Sequence, residues 1–328
     1  MAISMKKGLN AVVGILSGMV GDYLDEQENE LAVQMQFHIH GKPLTLSPDT
    51  LKEAYPDRTS KVCILIHGLM CDESTWTFRD DSENTYGSLL QEDLGYTPFY
   101  LRYNTGLHIS KNGQKFSEMM ENFFNAYPVD IEEIVVIAHS MGGLVTRSAC
   151  HNATQHQMDW VKKVQKLFFL GSPHLGVPLE KVGNVVSNIL QAVPRPYTKL
   201  AGDVVNLRSA GIKDLRYGYV TDEDWEGQDP DAILQNNKTT IPLIDGVSHY
   251  IITGTLTKAP EHLVAQWFGD AMVRKPSALG QSKKEAHNIP FPSEHHREFP
   301  KVGHLKLTRF SEIYEQIKLW CQETSSDE

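Results

Sequence analysis

The stretch IEEIVVIAHSMGGLVTRSA, from Ile131 to Ala149, joins two kinds of secondary structure. The apolar run Ile134–Ile137 predicts a buried β-strand, and the apolar residues after the two glycines recur at the spacing of a helix face. Ser140 stands where the predicted strand ends and the predicted helix begins. This serine is therefore the first candidate for a functional residue.

The residues around Ser140 fit a tight turn that exposes a nucleophile. A side chain on such a turn has a strained backbone and projects away from the sheet, so the residues two before and two after it must be small. Ala138 and Gly142 occupy these positions. Alanine replaces the more common glycine at the first of them, which adds a single methyl group. We interpret Ser140 as a nucleophile; a serine that only caps the helix is the alternative.

The rest of the chain predicts an α/β fold. Further strands are predicted at residues 61–68, 96–104, 164–174, 248–256 and 296–304, and helices separate several of them. Residues 31–46, LAVQMQFHIHGKPLTL, alternate polar and apolar residues around a turn, which predicts an antiparallel hairpin with His38 and His40 facing solvent. Together these patterns predict a mostly parallel sheet with an antiparallel N-terminal hairpin and helices on both faces.

Two segments stand apart from this alternation. Residues 1–30 predict an amphipathic helix, because apolar residues recur there at helical spacing; a short signal peptide is the alternative. Residues 31–328 form the predicted main domain, and residues 177–246 within it predict a cap or lid insertion. No apolar run reaches the roughly 20 residues of a membrane span, so we expect a cytoplasmic protein.

Composition excludes several classes of function. The 328 residues carry a net charge of −10 and contain no basic stripe, which argues against nucleic acid as a partner. The four cysteines lie far apart, so neither a metal cluster nor a disulfide framework is indicated. The acidic run Asp222–Asp231 lacks the alternating ligands and central glycine of a calcium loop, which favours a solvated loop.

A serine nucleophile needs a base that is itself held by a third group. His304 is the best base, because it ends the last predicted strand just before the closing helix. The acid is expected after the preceding strand, where Asp270 is preferred to Glu261; Asp245 precedes that strand and is a weaker choice. The resulting order of serine, acid and histidine differs from the orders in trypsin-like and subtilisin-like enzymes.

Acyl transfer also needs two donors for the oxyanion, usually backbone N–H groups. By position alone, Leu69 after the strand CILIHG and Met141 after the nucleophile are expected to supply them. His67 is expected to hold the first of these loops through a buried hydrogen bond. The other predicted substrate-binding residues in these two stretches are Gly68, Met70 and His139.

Four stretches together resemble the α/β-hydrolase superfamily, and in particular lipases and esterases similar to GPI inositol-deacylase-like hydrolases. They are LIHGLMCDESTW, AHSMGGLVTRSA, LFFLGSPHLGVPLE and GDAMVRKPSA. The resemblance implies an α/β-hydrolase fold, and it implies Asp270 as the acid from its Gly-Asp setting. It also implies that a third stretch lines the site through Ser172, Pro173, His174 and Gly176. Ala138 and Ala271 depart from the family pattern, and neither departure removes a reacting group.

The predicted function is a serine carboxylesterase or lipase that forms an acyl-enzyme on Ser140. The expected substrate is a small-molecule or lipid ester, with transient contact to a lipid interface and no metal or organic cofactor. The alternatives are an amidase, thioesterase or acyltransferase with the same triad, and a non-catalytic binding protein on this fold. The sequence fixes neither the acyl chain, nor the alcohol, nor the oligomeric state.

Overall fold

The structure is a computed structural model that describes residues 2–78, 84–177, 209–227, 238–254, 273 and 275–323, with side chains from residue 12 onward. One sheet with the strand order β2-β1-β4-β3-β5-β6-β7-β8 runs through these residues. Its strands are β1 (Gln36–Ile39), β2 (Lys42–Pro43), β3 (Lys61–Ile66), β4 (Thr97–Arg102), β5 (Glu133–His139), β6 (Val164–Leu170), β7 (Ser248–Gly254) and β8 (His296–Phe299). Strand β1 runs antiparallel to β2 and β4, and the other neighbouring strands are parallel.

Helices cover both faces of the sheet. They are α1 (Ala2–Glu26), α2 (Pro48–Ala54), α3 (Tyr86–Leu94), α4 (Ile109–Ala126), α5 (Met141–Gln155), α6 (Ala210–Tyr217), α7 (Lys275–Ala278) and α8 (Ser311–Gln322). Helices α1, α2, α4 and α5 pack on one face, and α3 and α8 pack on the other. This arrangement, with its antiparallel N-terminal hairpin, is the α/β-hydrolase fold and confirms the predicted fold class.

The sequence of β3 shows why both faces are covered. Neighbouring residues of a strand point to opposite faces. Ile64 and Ile66 enter the core beneath α4 and α5, whereas Cys63 and Leu65 enter the core beneath α3 and α8. A strand buried on both faces is apolar throughout rather than alternating. The apolar runs that predicted β3, β5 and β6 therefore follow from their central place in the sheet.

The chain order of the strands creates a crevice. From β3 the chain moves to β4 on one side, and it then returns to place β5 on the other side of β3. Ligands of open α/β sheets bind at such a switch point, beyond the carboxyl ends of the strands. The segments that leave β3 and β5, which begin at His67 and Ser140, meet there.

Two expectations about the strands are wrong. His38 is buried, with its Nδ1 3.5 Å from Glu73 Oε1, because that carboxylate gives the imidazole a polar partner inside the protein. His40, by contrast, is exposed in the turn. The last strand ends at Phe299, and His304 begins a separate 3₁₀ helix, His304–Thr308. The expected base is thus carried by a helical turn, not by the end of a strand.

Helix α1 packs on its own chain. Ser17 Oγ donates to Asn104 Oδ1 at 3.0 Å, and Asn104 Nδ2 donates to the Gly21 carbonyl at 2.8 Å. A Cβ on Gly106 would lie 2.3 Å from the Ser17 carbonyl oxygen, so only glycine allows this approach of the two backbones. None of the described helices is long and apolar enough to cross a bilayer.

The predicted insertion at 177–246 lies largely outside the described residues. Within its described part, Ser209 Oγ donates to the Gly18 carbonyl at 2.6 Å, and the Asp214 carboxylate accepts from the Ile109 N–H at 2.8 Å. Helix α6 is thereby fixed to α1 and to the start of α4. A cap or lid over the site stays a prediction.

Candidate active site

Ser140 has a backbone conformation that few side chains adopt. Its φ of 53° and ψ of −124° lie at the junction of β5 and α5. Such conformations cost about 1–3 kcal/mol and persist only where surrounding contacts impose them. The Ser140 N–H donates to the Leu170 carbonyl at 2.9 Å, and its own carbonyl accepts from Gly143 N–H at 3.0 Å. Its buried Oγ has no hydrogen-bond partner among the described residues.

Three glycines allow the close contacts that surround this turn. A Cβ on Gly68 would lie 2.9 Å from Ser140 Cβ, and one on Gly142 would lie 2.6 Å from the His67 carbonyl oxygen. A Cβ on Gly143 would lie 2.1 Å from Ser172 Oγ. The first turn of α5 therefore packs directly against the residues that leave β3 and β6.

His304 reaches the same edge of the sheet. A Cβ on Gly171, which follows β6, would lie 3.0 Å from His304 Nδ1. The ring centroids of His139 and His304 are 4.7 Å apart, and His139 Nε2 lies 3.0 Å from the His304 carbonyl oxygen. A carbonyl only accepts, so His139 Nε2–H is the donor. His139, the residue before Ser140, thus ties the segment that carries His304 to the serine turn.

Both of these imidazoles are neutral at pH 7. Burial lowers the pKa of His304 to about 4. Burial also lowers the pKa of His139 well below its ordinary value, and the neighbouring His304 lowers it further. A neutral imidazole can accept a proton, which is the state a general base requires.

The backbone N–H groups of the loop after β3 and of the first residue of α5 differ in their partners. The Met70 N–H donates to Thr105 Oγ1 at 3.2 Å, and the Cys71 N–H donates to the Gly68 carbonyl at 3.2 Å. Within the described part of the chain, the N–H groups of Leu69 and Met141 donate to no other group. Met141 is the first residue of α5, and N–H groups there have no acceptor within the helix.

A chain of two hydrogen bonds links α1 to this loop. Ser17 Oγ accepts from the Thr105 N–H at 3.1 Å, and Thr105 Oγ1 in turn accepts from the Met70 N–H. A Cβ on Gly18 would lie 2.3 Å from Met70 Cγ, so the helix touches the loop directly. Sequence reasoning missed Ser17 and Thr105, which are 88 positions apart. The glycines at 14, 18 and 21 were the available signal, because they mark a face built for close contact.

The other predicted binding residues border the same edge. His67 Nδ1–H donates to the Gly68 carbonyl at 2.9 Å, its ring stacks on Tyr103 at 4.6 Å, and burial lowers its pKa. His174 lies 4.8 Å from the rings of both Phe169 and Phe291, and neither ring nitrogen has a partner among the described residues. Its neighbour Ser172 contacts α5, as described above for Gly143.

The acid is the least described member of the expected triad. Asp270 and Glu261 lie outside the described residues. Asp245 is exposed in the turn before β7. Because β5 and β7 run in the same direction, that turn lies at the opposite edge of the sheet from Ser140, which excludes Asp245 as a partner of His304. The described residues contain no group of three or more His, Cys, Asp or Glu side chains that could hold a metal ion.

Comparison with known protein families matches part of the chain. Residues 56–200 match the family described as "Putative serine esterase (DUF676)". This segment is slightly less than half of the chain, and it includes Leu69, Ser140 and Met141 but not His304. The match supports the general class of serine ester hydrolases and specifies no substrate. No curated protein matches the chain.

Solved structures show distant likeness. Bacillus licheniformis lipase BlEst2 in its mature form is 13% identical over 79% of this chain and 91% of its own, with a TM-score of 0.48. The lin2722 gene product of Listeria innocua is 14% identical over 82% and 96%, with a TM-score of 0.47. Bacillus subtilis naproxen esterase (carboxylesterase NP) is 14% identical over 80% and 84%, with a TM-score of 0.43. Likeness at this level assigns neither substrate nor reaction to the chain.

The buried histidines make the fold sensitive to acid. Burial lowers the pKa values of His67, His139, His174, His249 and His304. Below about pH 6.5 the unfolded chain binds protons at these positions and the folded chain does not. The free energy of unfolding therefore decreases as the pH is lowered. For His249 and His304, whose pKa values burial lowers to about 4, we expect each histidine to cost up to about 1.4 kcal/mol per pH unit between pH 6.5 and 4.

Urea unfolding at pH 7.5, 6.5, 5.5 and 4.5 measures this dependence. His249→Phe is the matched variant, because a ring of similar size between Phe169 and Phe291 keeps the packing and removes one titrating group. Its stability is expected to fall less steeply with acid than that of the wild type. Equal stability of the wild type from pH 7.5 to 4.5 contradicts the prediction.

Proposed function

We propose that the protein is a serine esterase that cleaves carboxylic esters, as a carboxylesterase or lipase, through an acyl-enzyme on Ser140. The observation that carries this proposal is the buried Ser140 hydroxyl on a strained turn, which has no hydrogen-bond partner among the described residues and is tied through His139 to the segment of His304. A fold maintains such strain where the site uses it. The family match over residues 56–200 supports the same class.

In the proposed reaction, Ser140 Oγ attacks the ester carbonyl carbon while His304 accepts the hydroxyl proton. The carbonyl oxygen becomes an oxyanion that accepts hydrogen bonds from the N–H groups of Leu69 and Met141. These two groups have no other acceptor in the described part of the chain. The intermediate collapses as His304 returns its proton to the leaving alcohol. Water then attacks the acyl-enzyme with His304 as base, which releases the acid and restores Ser140.

The acid of the triad belongs after β7. Strand β7 ends at the same edge of the sheet as β5 and Ser140, and the acid of a triad orients the imidazole and stabilises its protonated form. We assign this role to Asp270. The resemblance to GPI inositol-deacylase-like hydrolases supports acyl-ester cleavage and leaves the acyl chain and the alcohol to be measured. Gly68 and Ser172 border the serine turn, and together with Met70 they are proposed to contact the substrate.

The first test is covalent labelling by a fluorophosphonate probe together with hydrolysis of p-nitrophenyl esters from C2 to C16. We expect the wild type to react with both, because the probe needs only an activated serine and an oxyanion hole. Ser140→Ala is expected to lose labelling and to lower kcat by about 10⁶-fold. Labelling that persists in the folded Ser140→Ala variant contradicts the proposal.

The acid is tested by a pair of Asp→Asn substitutions, one after β7 in the chain and one before it, at the edge of the sheet opposite Ser140. Asp270→Asn is expected to lower kcat by about 10⁴-fold, because the amide no longer holds the imidazole in its correct tautomer. Asp245→Asn makes the same chemical change at the opposite edge and is expected to leave kcat unchanged. Steady-state kinetics and circular dichroism of both variants are the measurements. Full activity of Asp270→Asn moves the role to another residue, and Glu261→Gln is the variant to measure next.

The hydrogen-bonded link from α1 to the loop after β3 is tested by two matched Ser→Ala variants. Ser17→Ala removes the acceptor that holds Thr105, and we expect kcat to fall about 10-fold with little change in KM, since loss of a whole oxyanion donor costs about 10² to 10³. Ser209→Ala removes another buried hydroxyl that holds α1, but not one that contacts the loop. It is expected to lower thermal stability without this loss of kcat. Equal kcat values in the two variants contradict the link.

A further inference from the structure

Arg147 carries a charge in the interior that the described residues do not neutralise. Its side chain on α5 is 5% exposed, and Nη2 donates to the Ile241 carbonyl at 2.9 Å. Nη1 is buried without a partner, and no carboxylate forms an ion pair with Arg147 in the described part of the chain. A guanidinium keeps its charge and has five N–H donors. Burying such a group without compensation is costly.

The surroundings of Arg147 add positive charge. Lys238 is 6% exposed, and its ammonium donates to the His174 carbonyl. Burial first, and then the charge of Arg147, lower the pKa of Lys238 to about 7. The charge of Asp224 raises the pKa of Lys238, and the Asp224 oxygens already accept three backbone N–H groups, from Val220, Thr221 and Thr239. Among the described residues, the surroundings of Arg147 therefore have more cationic than anionic groups.

The segment that follows β6 contains further polar side chains without partners among the described residues. Ser172 Oγ and both ring nitrogens of His174 are buried without a hydrogen bond among the described residues. Gly143, which contacts Ser172, is four residues before Arg147, so both lie on the same face of α5. Arg147, Ser172, His174 and Lys238 are here called the Arg147 cluster. Within this cluster, Ser172 contacts the first turn of α5 beside Ser140, and Arg147 lies one helical turn further along α5.

We propose that the Arg147 cluster binds a carboxylate or phosphate group. A guanidinium matches the oxygens of these anions with paired hydrogen bonds, and a hydroxyl and an imidazole N–H supply additional donors. A water molecule satisfies donors but does not neutralise the charge. The anion is either dissolved in the medium or part of an ester substrate. Binding of a dissolved anion does not require the proposed esterase activity, so the two proposals are tested separately.

Thermal unfolding with and without inorganic phosphate, at constant ionic strength, tests the site. At a concentration about 100 times its Kd, phosphate is expected to raise the Tm of the wild type by about 3 °C. Arg147→Met is expected to show no shift. In phosphate-free buffer its Tm is expected to equal or exceed that of the wild type, because an apolar side chain replaces an uncompensated charge. Arg297→Met, the same change at an exposed residue, is expected to respond to phosphate as the wild type does.

An unchanged Tm of the wild type overturns the proposal, as does an equal phosphate shift in Arg147→Met. If Arg147→Met fails to fold, calorimetric titration of the wild type with phosphate decides, and an absence of binding overturns the site.

Hydrolysis of p-nitrophenyl hemisuccinate and of neutral p-nitrophenyl pentanoate distinguishes the two sources of the anion, a substrate acid group and a dissolved anion. Competitive inhibition by phosphate of the acidic ester alone assigns the site to a substrate acid group. Stabilisation by phosphate without inhibition assigns it to a dissolved anion.

Discussion

The close approach of backbones around Ser140 is the constraint on which the site depends. A strained φ and ψ at a single residue persists only if the neighbouring strands leave no better alternative. Here the Ser140 N–H is fixed by β6, and the helix that follows starts in contact with the residues that leave β3. Gly68, Gly142 and Gly143 are therefore as necessary to the site as any reacting group. The parallel sheet supplies this contact, since it places the ends of β3, β5 and β6 side by side.

The elements that sequence predicts well are those that follow from local physical demands. Strands β3, β5 and β6 are buried on both faces, so each contains a continuous apolar run: Val62–Ile66, Ile134–Ala138 and Leu167–Leu170. The turn at Ser140 needs small neighbours, and those neighbours are visible within five residues. The position of His304 just before the closing helix predicts it as the base, although the element that carries it is a 3₁₀ turn rather than a strand.

Sequence reasoning failed where partners are distant in the chain. His38 is buried because Glu73 lies beside it, and no periodicity in the hairpin reveals a carboxylate 35 positions away. The contact between Ser17 and Thr105 has the same origin. Asp270 differs from both, because it lies outside the described residues and its role stays a prediction. Patterns of burial can be inferred from one segment at a time, whereas polar pairs require the fold.

The packing of α1 has a consequence for how the chain folds during synthesis. This helix contacts residues 69–71, 104–106 and 209–210, so its docking site is assembled from three separate parts of the chain. The last of these parts follows the end of α1 by more than 180 residues. At about 5–20 residues per second, ribosomal synthesis leaves the apolar side of α1 without its full partner for roughly 10 to 40 s. Until then the nascent chain exposes a surface that a chaperone can bind, and release from it would coincide with the docking of α1 on the loop beside Ser140.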